Sequence, residues 1–477
     1  MGLVLVFFPI VMAGLAAVFP SQKLRPWFLP LTSLLQCILA FWLIFFAPDQ
    51  ASLGTWLALD SPAKVVLLTV SGLFLFVSFY AAGYLRYRLE RSNRVFVSSL
   101  LIFLGLSALV VLARHLGLLW VAIEGTTLAT APLIFFNRSK ESLEATWKYL
   151  LVLSVGIALA LLGTFFLAYS AFAAGLPATL NLSTLIAEAP RLSKPWLGAG
   201  FLLLLVGYGT KMGLAPMHTW KPDAYGEAPG MAGALFAGGV TSLAFLAILR
   251  AFVVVNAAGE SGHFTGILLA VGLFSMAIAG LFLVGQKDLK RMLAYSSVEH
   301  MGILLFGLGV GGGALWGTFL HILTNGSTKG VLFLTAGNIH RSYGSKKIDV
   351  VRGVLRRLPL TGSIFLAGFL AITGSPPFGP FVSEFSILNG ALGQGLLVPA
   401  VLFLLFLFVV FVGMGKTVLT ALQGQAPQEQ HSPYRESFLT AGVPLVLLLV
   451  VLGLGVFLPG PLQTLLTDAA RSFEVHP

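Results

Sequence analysis

The stretch LLLLVGYGTKMGLAPMHTW (202–220) decides how the chain must be read. An apolar run leads into Lys211, and Pro216 follows five residues later. A charge at a bilayer centre costs from about 2.5 kcal/mol upward, so it is kept only where it faces protein, water or a partner. Proline removes an amide donor and clashes with the preceding turn, and backbone left unpaired at membrane depth survives only beside protein or water. The stretch therefore predicts a broken membrane helix with a buried base. The whole chain agrees: its 477 residues are 57% hydrophobic and 10% charged, with a mean hydropathy of +0.92. Soluble chains carry about 25% charged residues, so a soluble enzyme is excluded. A single cysteine, Cys37, excludes a disulfide framework and a Cys-ligated cluster. The formal charge of +11 sits in short loops between apolar runs, which points to membrane topology and not to nucleic acid.

Working outward, windows of about 20 apolar residues give fourteen spans, at 3–20, 27–47, 64–84, 95–113, 115–136, 148–173, 197–219, 230–255, 264–285, 292–310, 314–338, 361–391, 396–420 and 438–458. The fold class is all-α, a polytopic membrane protein. The first span reads as a retained helix. Loops at 174–196, 339–360 and 421–437 are too short for a cofactor-binding fold, so no cofactor is expected and redox chemistry must lie in other chains. Loops after odd-numbered spans hold 21 basic residues, Lys221 and Lys290 among them, and the opposite side holds 6. That asymmetry predicts both termini on the outer, periplasmic side of a cell inner membrane.

Four charges fall inside spans: Glu124 in LLWVAIEGTTLATAPLIFF, Lys211, Lys329 in HILTNGSTKGVLFLTAG and Glu384 in GPFVSEFSILNGA. Each alone reads as a structural ion pair or a snorkelling side chain. Two acids and two bases on separate helices read better as a proton relay, since burial and neighbours can bring each group into a titrating range. Lys211 and Glu124 are expected to form a buried pair, and Glu384 the outer end of the relay. Two spans are interrupted near a charge, span 7 at Pro216 and span 12 at Ser375–Pro380, four residues before Glu384. Interrupted helices in matching positions of two halves mark a transporter site, which suggests repeats of spans 4–8 (95–255) and 9–13 (264–420). Residues 1–94 then form three leading helices and 421–477 a last one. His321 lies two turns before Lys329, His300 sits inside span 10 beside Glu299, and His218 lies near the inner end of span 7. All three join the relay candidates. Glu299–His300 lacks further ligands at metal spacing, so no metal is expected.

QKDLKRMLAYSSVEHMG (286–302) resembles the D-(I/L)-K-R-x-L-A-Y-S-S-x-x-H-(M/I)-G signature of the antiporter-like subunits of respiratory complex I and their relatives. KMGLAPMHTWKPDAYGEAPG (211–230) resembles the family's K-x-P-x-x-P-x-H-x-W-L-P-D-A-H-x-x-A-P segment, with Asp223 matched as well as Lys211 and His218. WVAIEGTTLATAPLIFFNRSKESLEATWKYLL (120–151) resembles component F of hydrogenase-4 within that family. The resemblance implies fourteen helices with two inverted five-helix repeats and broken helices 7 and 12. It implies proton translocation without catalysis of its own, coupled to redox chemistry in partner membrane subunits. It assigns the span 5 glutamate to Glu124, the span 7 lysine to Lys211, the span 11 lysine to Lys329 and the span 12 terminal group to Glu384. Asp223, Asp288, Pro216 and Pro380 are carried over as supporting residues.

There are departures. The family's span 8 lysine or histidine is missing from GALFAGGVTSLAFLAILR (233–250), so Gly238, Gly239, Thr241 and Ser242 are expected to admit a water bridge. Gly213 stands where the family has proline, and Tyr225 where it has histidine. No long amphipathic helix follows span 14, so the lateral arm of some relatives is expected to be absent. Competing readings are a subunit of a cation/proton antiporter or of a proton-coupled inorganic-carbon uptake complex, and a non-conducting membrane scaffold.

Overall fold

Long runs of Leu, Val, Phe and Ala cannot leave backbone amides bare in hydrocarbon, and the helix satisfies every one of them within the segment. The computed structural model describes residues 2–47, 54–86, 88, 90–424, 434 and 436–473, and among these the regular elements are helices with only isolated bridges. Both chain ends, Met1 and 474–477, and Arg435 of the basic tally lie outside the described residues. The helices are α1 (Gly2–Val18), α2 (Phe28–Phe45), α3 (Ser61–Leu85), α4 (Arg94–Leu112), α5 (Leu116–Ile134) and α6 (Lys140–Phe172). Then come α7 (Lys194–Met212), α8 (Trp220–Glu227), α9 (Gly230–Ala257), α10 (Ser261–Leu283), α11 (Leu289–Val310) and α12 (Gly313–Tyr343). The last are α13 (Pro359–Ile372), α14 (Gly379–Gly393), α15 (Leu397–Gln423), α16 (Val443–Val456) and α17 (Gly460–Arg471). Among the described residues, ten helices are long and apolar enough to cross a bilayer unaided.

Burial sorts them into layers. The most apolar windows of α9 and α11 are 94% buried, whereas that of α15 is 28% buried and that of α6 39%. Polar-free faces such as Val155 and Phe408 point outward, which in water would be an aggregation hazard and in lipid is the natural surface. The buried helices surround α12, which packs against α3, α9, α11, α13, α14 and α16. Small residues set the spacing. A Cβ on Gly207 of α7 would lie 2.6 Å from the Ala160 nitrogen and the Gly156 carbonyl of α6, and one on Gly302 of α11 2.5 Å from the Gly272 carbonyl of α10. Glycine at these points lets backbones close on one another, which is the main packing term available inside a membrane.

Both expected interruptions are present, with their limits shifted. α7 stops at Met212 on Gly213, whose φ of +80° only glycine adopts freely, and helix resumes at Trp220. Pro216 thus lies inside the unwound segment, three residues past its start. α13 ends at Ile372, Gly374 takes φ +67°, and α14 begins at Gly379. Pro380 therefore opens α14 in its first turn, where a missing amide costs nothing, and does not break it. A third irregularity, a π turn over Phe236–Val240 inside α9, coincides with Gly238–Gly239. Such turns recur at functional sites.

Candidate functional site

α11 places Ser296, Glu299 and His300 on one face, since residues three and four apart are neighbours on a helix. That face meets His321 and Lys329 of α12 and Ser383 and Glu384 of α14, and each of these seven residues is at most 5% exposed. Lys329 Nζ donates to Ser296 Oγ at 2.7 Å, and Glu299 is the acid whose charge acts on it. Ser383 Oγ donates to the Pro380 carbonyl at 2.9 Å. A hydroxyl has one proton, so toward His321 Nδ1, at 2.8 Å, it is the acceptor. A neutral imidazole that donates from Nδ1 accepts at Nε2, and His300 Nδ1 donates to that nitrogen at 3.0 Å. His300 Nε2 is then the bare end of the row. It is buried without a hydrogen-bond partner and lies 3.8 Å from Glu299 Oε2. Every bond from His300 to Pro380 points the same way.

Glu384 stands beside this row. Its Oε1 lies 4.0 Å from His300 Nδ1 and has no hydrogen-bond partner. Its carboxylate rests on the glycine that ends α13, for a Cβ on Gly374 would overlap Glu384 Oε2. His300, His321 and Glu384 bring three possible metal-ligand atoms within 4.8 Å of one another. The sequence showed no such partners for Glu299–His300, because His321 and Glu384 arrive from other helices. The direct bond between the two histidine rings occupies the nitrogens that would otherwise face an ion.

Lys211 lies in the other half, fully buried on α7. Its Nζ donates to the Ile123 carbonyl at 2.8 Å and to the Thr127 hydroxyl, which flank Glu124 on α5. Glu124 is the acid whose charge acts on Lys211, yet no ion pair joins the two among the described residues. The two residues expected to pair therefore interact through charge, with the Ile123 carbonyl and the Thr127 hydroxyl as the direct partners of Lys211. Glu124 is half-buried, and its Oε2 has no hydrogen-bond partner. His218 lies in the unwound segment beside Phe282 and Tyr295, its Nδ1 buried and unpartnered, away from the His300–His321 pair.

The supporting residues divide. Asp288 caps α11, accepting from the Lys290 and Arg291 amides at 2.9 and 3.0 Å. Asp223 joins Arg291 at 2.7 Å and Lys148 at 3.1 Å near the surface. Thr241 and Ser242 spend their hydroxyl protons on Ala237 and Gly238 carbonyls of their own helix, both at 2.7 Å. Neighbouring side chains and backbone approach both glycines: a Cβ at Gly238 would meet Leu73 at 2.6 Å and Gly326 at 2.9 Å, and one at Gly239 would meet Phe103 at 3.2 Å. The glycines there admit neighbouring helices.

Two basic residues counted as loop charges are buried instead. Lys290 Nζ donates to the Ala228 carbonyl at 2.9 Å. Lys221, on the first turn of α8, is 0% exposed and donates to Ser297 Oγ at 3.1 Å. Position in sequence hid both, because Trp220-Lys221-Pro222 reads as the start of a loop. Sequence reasoning did not assign Glu299, Ser296 and Ser383 of the row, nor Thr127 beside Lys211 in the other half; the spacing of 296, 299 and 300 on one helix was the available signal.

An all-helical, multi-pass membrane protein with ionisable side chains sealed in its core is the class defined by this fold and site. Residues 113–413 match the family described as NADH:quinone oxidoreductase/Mrp antiporter, TM, and the chain belongs to that family. It is 32% identical over 466 residues to a hydrogenase-4 component F homolog of Methylacidiphilum infernorum (isolate V4), covering 95% of this chain and 96% of that one. It is 31% identical over 349 residues to NADH-quinone oxidoreductase subunit N of Desulforudis audaxviator (strain MP104C), covering 72% and 68%. Its fold superposes with a TM-score of 0.88 on a chain of the membrane-bound sulfane sulfur reductase, an archaeal respiratory membrane complex, at 23% identity and with 99% and 97% of the two chains covered. The antiporter-like character expected from 211–230 and 286–302 is therefore that of the chain as a whole.

Proposed function

We propose that this chain is the proton-translocating membrane subunit of a multi-subunit respiratory complex of the hydrogenase type, driven by redox chemistry in partner subunits. The observation that carries the reading is the oriented row from His300 to Ser383, with Lys329 and Glu299 at its His300 end and Glu384 beside the histidine pair. A proton delivered to the bare His300 Nε2 releases the one on Nδ1 to His321, so charge crosses the pair by two short transfers. Glu384, with an oxygen free of hydrogen bonds, is the next acceptor and the group that exchanges with the outer side. Lys211 and Glu124 form the corresponding entry half, and His218 the inner approach.

With this reading goes an arrangement of fourteen crossings in two inverted repeats, 95–255 and 264–420. Packing of α4 on α5, α5 on α6 and α6 on α7 recurs as α10 on α11, α11 on α12 and α12 on α14. A left-handed glycine interrupts the fourth helix of each set. The basic loops orient both termini outward in a cell inner membrane. Purification of the complex holding this chain in mild detergent, mass spectrometry of its subunits, and reconstitution in vesicles carrying a pH dye test the proposal. Hydrogenase-type partners and acidification tied to electron flow are expected. Translocation driven instead by a sodium gradient, without electron flow, would replace it with the cation/proton antiporter reading.

A further inference from the structure

Between Lys211 and Lys329 lies a gap where relatives of this type resemble one another in carrying a span 8 base and this chain has none. Lys221 occupies it. Its side chain runs back from α8 over the unwound segment, and a Cβ on Gly213 would overlap its Cε and Cδ and come within 2.9 Å of its Nζ. Its ammonium thus lies over a residue two positions from Lys211. On the far side Nζ meets Ser297 Oγ at 3.1 Å and the Ser297 carbonyl at 3.5 Å, and the next residue, Ser296, holds Lys329. The Tyr225 ring, which stands where relatives have histidine, lies 5.8 Å below the same nitrogen. No carboxylate pairs with Lys221 among the described residues. A base kept at zero exposure on a neutral serine is an expensive arrangement for packing alone.

The two halves treat their breaks alike. In the second, Glu384 rests on the left-handed Gly374; in the first, Lys221 rests on the left-handed Gly213. With the proline of relatives at 213 the ring would occupy the space that Lys221 fills, so Gly213 and Lys221 are one joint feature.

We propose that Lys221, seated on Gly213, is the titrating base that links the two half-pathways, in place of a base on α9. This rests on the translocating function proposed above. The transfer is a pure proton relay: an N–H bond of the Lys211 ammonium breaks as one forms on the neutral Lys221 amine, and the same exchange passes the proton to Lys329. No electrons move and no co-reactant is consumed. Because Lys221 and Lys329 act on one another's charge, like charges disfavour both being protonated together, and arrival at one favours departure from the other.

The test uses the whole complex in vesicles, with protons translocated per electron as the readout. Lys221→Gln keeps an uncharged polar end, one bond shorter, that cannot carry a proton, and Lys221→His restores a titrating group. A positioned proton carrier contributes about 10²–10⁴-fold, so the Gln variant should assemble and lose at least about tenfold of the ratio, with part recovered by His. Should Gln prevent assembly, Ser297→Ala removes the hydroxyl under Nζ with a smaller change and should lower the ratio at least about threefold. A wild-type ratio in either assembled variant overturns the link while leaving translocation standing. Absence of translocation in the wild-type complex overturns the function itself and the link with it.

Discussion

Ser383→Ala is the sharpest probe of the histidine row, because it deletes one oxygen and no charge. In the wild type Ser383 Oγ donates a hydrogen bond to the Pro380 carbonyl and accepts one from His321 Nδ1, which sets the tautomer of His321 and leaves its Nε2 to accept from His300. With alanine, Nδ1–H points at a methyl group in a fully buried site. Thr324 Oγ1 stands 3.4 Å from Ser383 Oγ and makes no hydrogen bond to His321 among the described residues, so taking over as acceptor would require the ring to shift. An orphaned buried donor costs about 1–3 kcal/mol. At 1.36 kcal/mol per decade, that lowers the population of the relay-ready tautomer roughly 5- to 150-fold. The assay is proton release by the reconstituted complex against its electron turnover, with assembly checked by the subunit composition of the purified particle. A proton-to-electron ratio and a rate equal to wild type in an assembled Ser383→Ala complex would refute the oriented row.

Other substitutions separate relay from scaffold. Glu384→Gln keeps size and hydrogen bonding but removes the titrating site, so translocation should fall at least about tenfold in a complex that still assembles; an unchanged ratio in vesicles makes Glu384 a packing residue. Asp288→Ala removes the α11 cap and should cost about 1 kcal/mol, seen as a lower unfolding temperature in detergent with the proton ratio retained. Gly207→Val should force α6 and α7 apart against contacts of 2.6 Å, costing about 1–3 kcal/mol or more and lowering the yield of assembled complex measured by size exclusion.

The elements were largely legible because a membrane helix declares itself by length and hydropathy. The runs at 95–113, 230–255 and 292–310 fall within a few residues of α4, α9 and α11. Buried charges were legible for a related reason: Lys211, Lys329 and Glu384 are conspicuous in apolar surroundings. Lys221 was not, since burial there depends on the chain folding back at Gly213 and not on neighbours in sequence. The partners were equally hidden. His300 meets His321 across 21 positions and His321 meets Ser383 across 62, and no periodicity within one helix reports the facing residue of another. At span 8 two glycines and two hydroxyls suggest room and water; that Leu73, Gly326 and Phe103 also approach those glycines is a contact between helices, which no pattern within one span reports.

The immediate partners of the buried lysines share one property that bears on mechanism. Lys211 is held by a carbonyl and a threonine, Lys221 by a serine, and Lys329 by a serine, while Glu124 and Glu299 stand one step further off. At a separation of 4 Å and an effective dielectric of 20, a closed ion pair would hold its charge by about 4 kcal/mol. That is about a thousandfold in an equilibrium constant, and a proton trapped so firmly could not be passed on at useful rates. A hydroxyl or carbonyl keeps the ammonium solvated without that trap, and the displaced carboxylate supplies an attraction that a small movement of α5 or α11 can raise or lower. On the proposed relay, opening and closing the Lys211–Glu124 separation would switch the lysine between holding and releasing. This requires nothing of the redox partner beyond a displacement of a helix by a few ångströms. It also accounts for the left-handed glycines at both breaks: they loosen the helix where charge must change hands and leave the flanking segments rigid.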